Sequence, residues 1–484
     1  MADNSNSDPA TLPETQSVPA SALRTQESIG LIVIWAPGEA GLLGAWLAVA
    51  NEPRIFGRGA ALSTDPLPRV QAIQQRPGSN VLLEPFVSPA LSRVQLELRQ
   101  LQGARLALKN LGRCKLSVND VACDDAIVAP GDIVQVGNQL LLLCSLRTAR
   151  LVGPGLPGGT QPFGEPDAHG FVGESPAMWL LRQELDFVGG RPGHVLICGE
   201  SGTGKELAAN AVHRASKRSG ALVARNAATF PETLIDAELF GSAKNFPNPG
   251  MPERIGLIGA ADEGTLFLDE FAELPLAQQT RLLRVLDAGE YQRLGEPTLR
   301  RADVRVVAAT NRPLSDLRHD VAARFAFRVH TPNLAGRVED VPLLVRHLLQ
   351  QVARDDEQLR ARFFQADGEA RISSGLLLGL LREPAIGNVR SLRNLLWRSL
   401  AESPGDTLLW PASPAVSGAA VASASASGAV ALAEEGGERA RIRQVLDKNQ
   451  GSIDKTWREL GLSSRFALNR LLKKHGISVR RSSG

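Results

Sequence analysis

Val195-Leu196-Ile197-Cys198 is apolar enough for a buried strand, and Gly199-Glu200-Ser201-Gly202-Thr203-Gly204-Lys205-Glu206 follows at once, ahead of a helical pattern. Strand, glycine-rich turn, lysine and helix in that order form a cradle for phosphate. The glycines let backbone N–H groups close on phosphate oxygens, and the helix N-terminus adds a favourable dipole. Lys205 is placed to reach the β- and γ-phosphates. Where a Ser or Thr hydroxyl usually serves Mg²⁺, Glu206 stands here. A second apolar strand, Gly264-Thr265-Leu266-Phe267-Leu268, ends in the carboxylates Asp269 and Glu270. On the same sheet, Asp269 would hold Mg²⁺ through water, and Glu270 would orient or deprotonate an attacking water. The chemistry expected is ATP hydrolysis, with residues 199–206 as nucleotide contacts.

These residues need a parallel sheet. HVLICG, GTLFLDE and VRVVAAT alternate with helical patterns between residues 171 and 403, as an α/β unit requires. Two other blocks flank it, and 484 residues are too many for one core. Residues 28–148 carry short strands (LIVIW, RIFG, VQLELR, KLSV, DIVQV, QLLLLC) between turn residues, which suggests a β-sandwich. Residues 438–478 are short, charged and helical. Two stretches read as linkers, 149–170, rich in Pro and Gly, and 404–437, with a low-complexity Ala/Ser/Gly run. Residues 1–27 read as a disordered tail without a signal-peptide pattern.

Composition narrows the class further. The four cysteines form no CxxC pair, which favours a reducing compartment over a secreted disulfide framework. The apolar runs between Ile29 and Ala50 are broken by Pro37, Gly38 and Glu39 and are too short to span a bilayer. A cytoplasmic protein is expected. From Gly451 onward there are eight Lys/Arg against two Asp/Glu, so that end is +6 in a chain whose net charge is +3. A polyanion partner at the C-terminus follows from that asymmetry.

The motif string of residues 171–403 resembles the AAA+ domain of bacterial enhancer-binding proteins, the activators that remodel sigma-54 RNA polymerase. The resemblance runs through GESGTGKE, AELFG, GTLFLDE, LLRVLDAGEYQRLG, VRVVAATNR and GNVRSLRNLL. It implies an α/β core over 171–335 and a helical lid over 336–403. It implies also that Asn226 is the polar switch holding Glu270, and that Thr310 and Asn311 form a sensor. Arg318 and Arg324 would be fingers donated to a neighbouring subunit, which needs a hexameric or heptameric ring. Arg390 would be a second sensor at the γ-phosphate. Where this family carries a GAFTGA loop that touches sigma-54, the chain has Asn245-Phe246-Pro247-Asn248-Pro249-Gly250, with no Thr and two prolines. ATPase chemistry does not involve that loop. Its replacement leaves a second reading open, an ATP-controlled DNA-binding regulator or scaffold that does not remodel sigma-54.

The flanking blocks resemble known modules too. Around Gly461-Leu462-Ser463-Ser464 one helix ends and a basic one begins, a helix-turn-helix pattern resembling a Fis-type DNA-binding domain. Arg465 and Asn469 would face base edges, Lys473 and Lys474 phosphates, with Arg470 on the same groove face. The N-terminal block resembles a forkhead-associated (FHA) domain, which binds phosphothreonine peptides. Arg58 of RIFGRG and Ser92 and Arg93 of LSRVQ would converge on a phosphate. Gln95 replaces that family's histidine.

Overall fold

The computed structural model describes residues 27–148, 159–383 and 387–411. The polar tail before Glu27 and the helix-turn-helix, with Arg465, Asn469, Arg470, Lys473 and Lys474, lie outside the described residues.

The N-terminal region is built from strands alone apart from one 3-10 turn: β1 (Glu27–Trp35), β2 (Trp46–Ala48), β3 (Arg54–Phe56), β4 (Ala72–Arg76), β5 (Ser79–Leu82), β6 (Leu96–Leu101), β7 (Arg105–Asn110), β8 (Leu116–Val118), β9 (Val121–Cys123), β10 (Asp125–Val128), β11 (Ile133–Val136) and β12 (Leu140–Thr148). They form an eight-stranded sheet, ordered β5-β4-β2-β1-β12-β11-β8-β9, and a four-stranded sheet, ordered β10-β7-β6-β3. The two sheets share a core of Leu31, Val33, Phe56, Leu96, Leu98, Leu106, Leu108, Leu140 and Leu142.

The larger sheet is covered on its other face as well. Successive side chains of a strand point to opposite faces, and β1 sends Ile29, Leu31 and Val33 into the core between the sheets. Its Ile32 and Ile34, with Trp46, Leu141 and Leu143, pack instead on the lid residues Leu343, Val345, Leu376 and Leu377. Strands buried on both faces read as unbroken apolar runs, which is why LIVIW and QLLLLC show no alternation. A buried ion pair crosses the same seam, Arg147 to Glu339 at 2.9 Å, and a partly buried one, Arg76 to Glu174 at 2.5 Å, ties the sheet to the segment before α1.

The second unit has a five-stranded parallel sheet of β13 (Val195–Cys198), β14 (Leu222–Asn226), β15 (Thr265–Asp269), β18 (Arg305–Thr310) and β19 (Phe327–His330), in the order β14-β15-β18-β13-β19. A small antiparallel pair, β16 (Glu290–Tyr291) and β17 (Arg300–Arg301), lies outside it. Helices α1 (Pro176–Gly189), α2 (Lys205–Ser216), α3 (Ile235–Phe240), α4 (Leu257–Ala260), α5 (Leu276–Ala288) and α6 (His319–Ala322) accompany the sheet. The lid follows as α7 (Val341–Asp355), α8 (Glu357–Phe363), α9 (Ser374–Arg382) and α10 (Val389–Glu402). α1 starts on the Ser175 cap with Pro176 in its first turn, as helix N-termini favour.

Both stretches read as linkers are partly built into this unit. Gln161 O accepts from Arg76 Nη1 at 2.6 Å, and Phe163 packs on the seam between sheet and lid. Past α10, Leu408 is buried and bridges Ile372. Among the described residues no helix is long and apolar enough to cross a membrane.

Candidate functional site

The site forms at the C-terminal ends of the parallel strands, where open α/β sheets bind ligands. β13 is buried, and the chain turns out of it at Gly199, whose N–H donates to Thr310 O at 3.1 Å. A Cβ on Gly199 would lie 2.0 Å from Thr331 Oγ1, so no side chain fits. Gly204 has φ +101°, a left-handed conformation that releases the chain into α2. Lys205 is buried in the first turn, with its ammonium donating to Gly199 O at 3.0 Å and Glu200 O at 3.1 Å.

Asp269 and Glu270 leave the end of β15 beside it. Asp269 Oδ1 accepts from the Glu270 N–H at 3.0 Å, and Glu270 takes φ 50°, which is costly for a side-chain-bearing residue. Burial pushes the Glu270 carboxyl above its ordinary value, against the pull of Lys205 and with added repulsion from Asp269. Asn311 Nδ2 donates to Glu270 Oε1 at 3.3 Å. Lys205, Asn226, Asp269, Glu270 and Arg390 all line one cleft of about 940 Å³, closed on the lid side by His347, Gln351 and Arg393.

The structure places the other expected site residues as follows. Asn226 lines the cleft, and its carboxamide oxygen accepts from Ala228 N at 2.9 Å and caps the turn after β14. Asn311 reaches Glu270, while Thr310 is buried and accepts from Arg312 N at 3.0 Å. Thr203 turns its hydroxyl into the loop's own scaffold, to Glu200 O at 2.9 Å and Thr331 Oγ1 at 2.7 Å. Glu206 is exposed. Ser201 and Gly202 line the cleft, and Ser201 Oγ accepts from Arg390 Nη1 at 3.0 Å. Glu200 faces Asn333 and Asn388, at 2.8 and 2.9 Å. Arg318 closes on Asp320 and Arg324 on Asp287, both half-exposed pairs within the single chain.

The residues present fit a nucleotide with Mg²⁺. A cradle that excludes a Cβ, a buried ammonium and two strand-end carboxylates share the cleft. Among the described residues there is no cluster of His, Cys, Asp and Glu that could hold a metal by itself.

The loop in the GAFTGA position folds on itself. Asn245 N donates to Met251 O at 2.9 Å, and Gly250 N donates to Asn245 Oδ1 at 2.9 Å. Phe246 is half-buried against Gly295, because only a residue without Cβ leaves room for its ring.

At the loop end of the N-terminal sheets, Arg58 N donates to Ser92 O at 3.0 Å. Arg93 donates to Ala60 O at 3.0 Å and lies 3.8 Å from Asp65. The Asp65 carboxyl is held down at about 2, first by its hydrogen bond from Arg69. Gln95, fully buried, donates to Asn110 Oδ1 and Cys114 O and accepts from Ser92 N. Arg113, which sequence reasoning missed, brings its N–H to Ser92 Oγ at 3.0 Å.

Residues 171–333 match the sigma-54 interaction domain family. An anaerobic nitric oxide reductase transcription regulator, NorR, from Aeromonas hydrophila is 36% identical over 368 residues, covering 71% of this chain and 70% of that protein. The chain belongs to the sigma-54-dependent transcription regulators. ATP binding and transcription regulation come with that membership. The NorR of Citrobacter koseri is 37% identical over 66% of this chain and 66% of its own length. The match to Escherichia coli K12 NorR, at 40% identity, spans 51% of this chain and about half of that protein, 48%. A crystal structure of NtrX from Brucella abortus with ATP is 30% identical over 63% of this chain and 69% of that one. Its TM-score of 0.44 is too low for a residue-by-residue comparison.

Proposed function

We propose that this regulator hydrolyses ATP in the cleft between the parallel sheet and the lid, and uses the cycle to act on sigma-54 polymerase at DNA-bound sites in the cytoplasm. The observation that carries the proposal is the convergence of Lys205, Asp269, Glu270 and Arg390 on one cleft. Lys205 and the loop N–H groups bind the phosphates. Glu270, fixed by Asn311, takes the proton of the attacking water, and Arg390 offsets charge from the lid. Mg²⁺, held through water by Asp269, would neutralise developing charge on the phosphates. Arg318 and Arg324 act on the neighbouring subunit's nucleotide in a hexameric or heptameric ring. Mixing Arg324→Ala chains with Lys205→Ala chains tests this. Activity restored in rings shown to be mixed supports fingers in trans, and none at any ratio rejects them.

The flanking regions give the inputs. The region from about 434 onward binds duplex DNA through Arg465, Asn469, Arg470, Lys473 and Lys474, with steep salt dependence. The N-terminal sheets form an FHA-like module that takes a phosphothreonine peptide on Arg58, Ser92 and Arg93. Calorimetry with phosphorylated and plain peptides decides this, since equal binding of both leaves a scaffold.

A second reading is favoured by the loop at 245–250. Pro247 and Pro249 fix two φ angles, and the turn is tied to itself through Asn245. We infer that sigma-54 is captured weakly when an ATP transition-state analogue is bound, while hydrolysis proceeds. Stable, nucleotide-dependent capture in a pull-down would restore the ordinary activator mechanism.

A further inference from the structure

Glu200 sits second in the phosphate loop, yet it does not line the cleft. Its Oε1 accepts from Asn333 Nδ2 at 2.8 Å, and its Oε2 accepts from Asn388 Nδ2 at 2.9 Å. We propose that Glu200 is a positioning residue that latches the helical lid to the phosphate loop and so sets where Arg390 meets the nucleotide. The proposal rests on reading the cleft as a nucleotide site.

The hydrogen-bond roles leave little freedom. Asn333 Oδ1 accepts from Gly336 N at 2.9 Å, and Asn388 Oδ1 accepts from Leu334 N at 3.1 Å. A backbone N–H can only donate, so each carboxamide must turn its NH₂ toward residue 200. Two NH₂ groups converging on one side chain need a group that accepts at both ends, which is a carboxylate. A Gln there would set its own NH₂ against one of them. The negative charge also makes both bonds charge-assisted, roughly twice as strong as neutral ones.

The two asparagines hold different parts. Asn333 caps the 3-10 turn that leads from the sheet into the lid, and Asn388 immediately precedes α10. Asn388 is 3% exposed, so its amide has no water to turn to. Arg390 lies in the first turn of α10 with its guanidinium on Ser201 Oγ. A Cβ on Gly202 would stand 3.0 Å from the Arg390 Cβ, so loop and helix start touch directly. Moving Asn388 therefore moves Arg390.

The test uses the full chain with Glu200→Ala, Glu200→Gln, Asn388→Ala and the double variant Glu200→Ala/Asn388→Ala. Three quantities are read: ATP turnover, affinity for a fluorescent ADP, and amide hydrogen exchange at Leu334 and Gly336. Glu200→Ala should lower kcat about tenfold while ADP affinity stays within about twofold, and exchange at both amides should rise. Glu200→Gln, which keeps the side-chain shape, should fall between it and the parent. The double variant should be no slower than Glu200→Ala alone, because both changes break one latch. Parental kcat in Glu200→Ala, additive losses in the double variant, or ADP affinity falling as far as kcat would each overturn the latch. A parent that turns over no ATP would refute the nucleotide reading instead, and hydrogen exchange would still decide the latch: unchanged exchange in Glu200→Ala rejects it.

Discussion

The loop at 199–206 and the loop at 242–256 both leave the parallel sheet region through glycines, but they are held in opposite ways. The first is fixed from outside: Gly199 bonds to β18, Thr203 to Thr331 beyond β19, and Glu200 to Asn333 and Asn388. The second is fixed from within only at its tip, by Asn245, Asn248 and Met251; its base is held to the strand-turn at 293–295, through Ala243 N to Leu294 O at 2.9 Å, Phe246 on Gly295 and the Arg293–Glu253 pair. A loop braced by the sheet keeps its geometry whatever happens at the output end. A self-tied tip has its shape written in its own few residues, so substitutions there should alter output and leave hydrolysis alone.

The largest effect should come from the braced loop. Lys205→Ala removes the buried ammonium, and ATP binding should be lost in a fluorescent-nucleotide titration at concentrations that saturate the parent. Next in size is the seam between sheet and lid. Arg147→Ala leaves Glu339 buried and unpaired, and breaking such a pair costs about 3–5 kcal/mol, to be read as a lowered urea midpoint. A pH effect of smaller size should come from Asp340. Burial pushes its carboxyl up to about 6, with Glu339 adding to the rise and Ser175 and Arg337 opposing it. A folded value above the unfolded one means the native chain binds the proton more tightly. This residue's contribution is therefore fully present below its unfolded pKa, near pH 4, and is lost as pH rises through about 6. Asp340→Asn should flatten stability across that window, and an unchanged slope would refute the assignment. The smallest effect belongs to the self-tied loop: Phe246→Ala should leave ATP turnover within about twofold of the parent. A larger loss would mean that the two loops are coupled after all.

The parts legible in the sequence were those carried by short contiguous strings. GESGTGKE and GTLFLDE announced the phosphate cradle and the acid pair because strand, turn and helix are adjacent in the chain. The partners of Glu200 were not legible. Asn333 and Asn388 lie 133 and 188 residues away, and nothing local marks an asparagine as a hinge contact. The turn that Asn226 caps is not legible either, since its bond to Ala228 N depends on where the chain goes after β14. The apolar runs of β1 and β12 read as strands of a sandwich, and their cover on both faces was not anticipated. They could not say that the second cover is the lid, because the helices that supply it come some two hundred residues later in the chain. Trp410 was hidden in a stretch that composition assigned to a tether, and it packs on Gly379.

The most direct test of the account is Glu270→Gln against the parent, with binding and turnover measured on the same preparations. The amide keeps the shape of the side chain but cannot take a proton from water. ATP should bind Glu270→Gln about as tightly as the parent, while turnover falls by roughly a hundredfold or more, the scale of general-base catalysis. Turnover at the parental rate would contradict the assignment of Glu270, and with it the reading of this cleft as the site of hydrolysis.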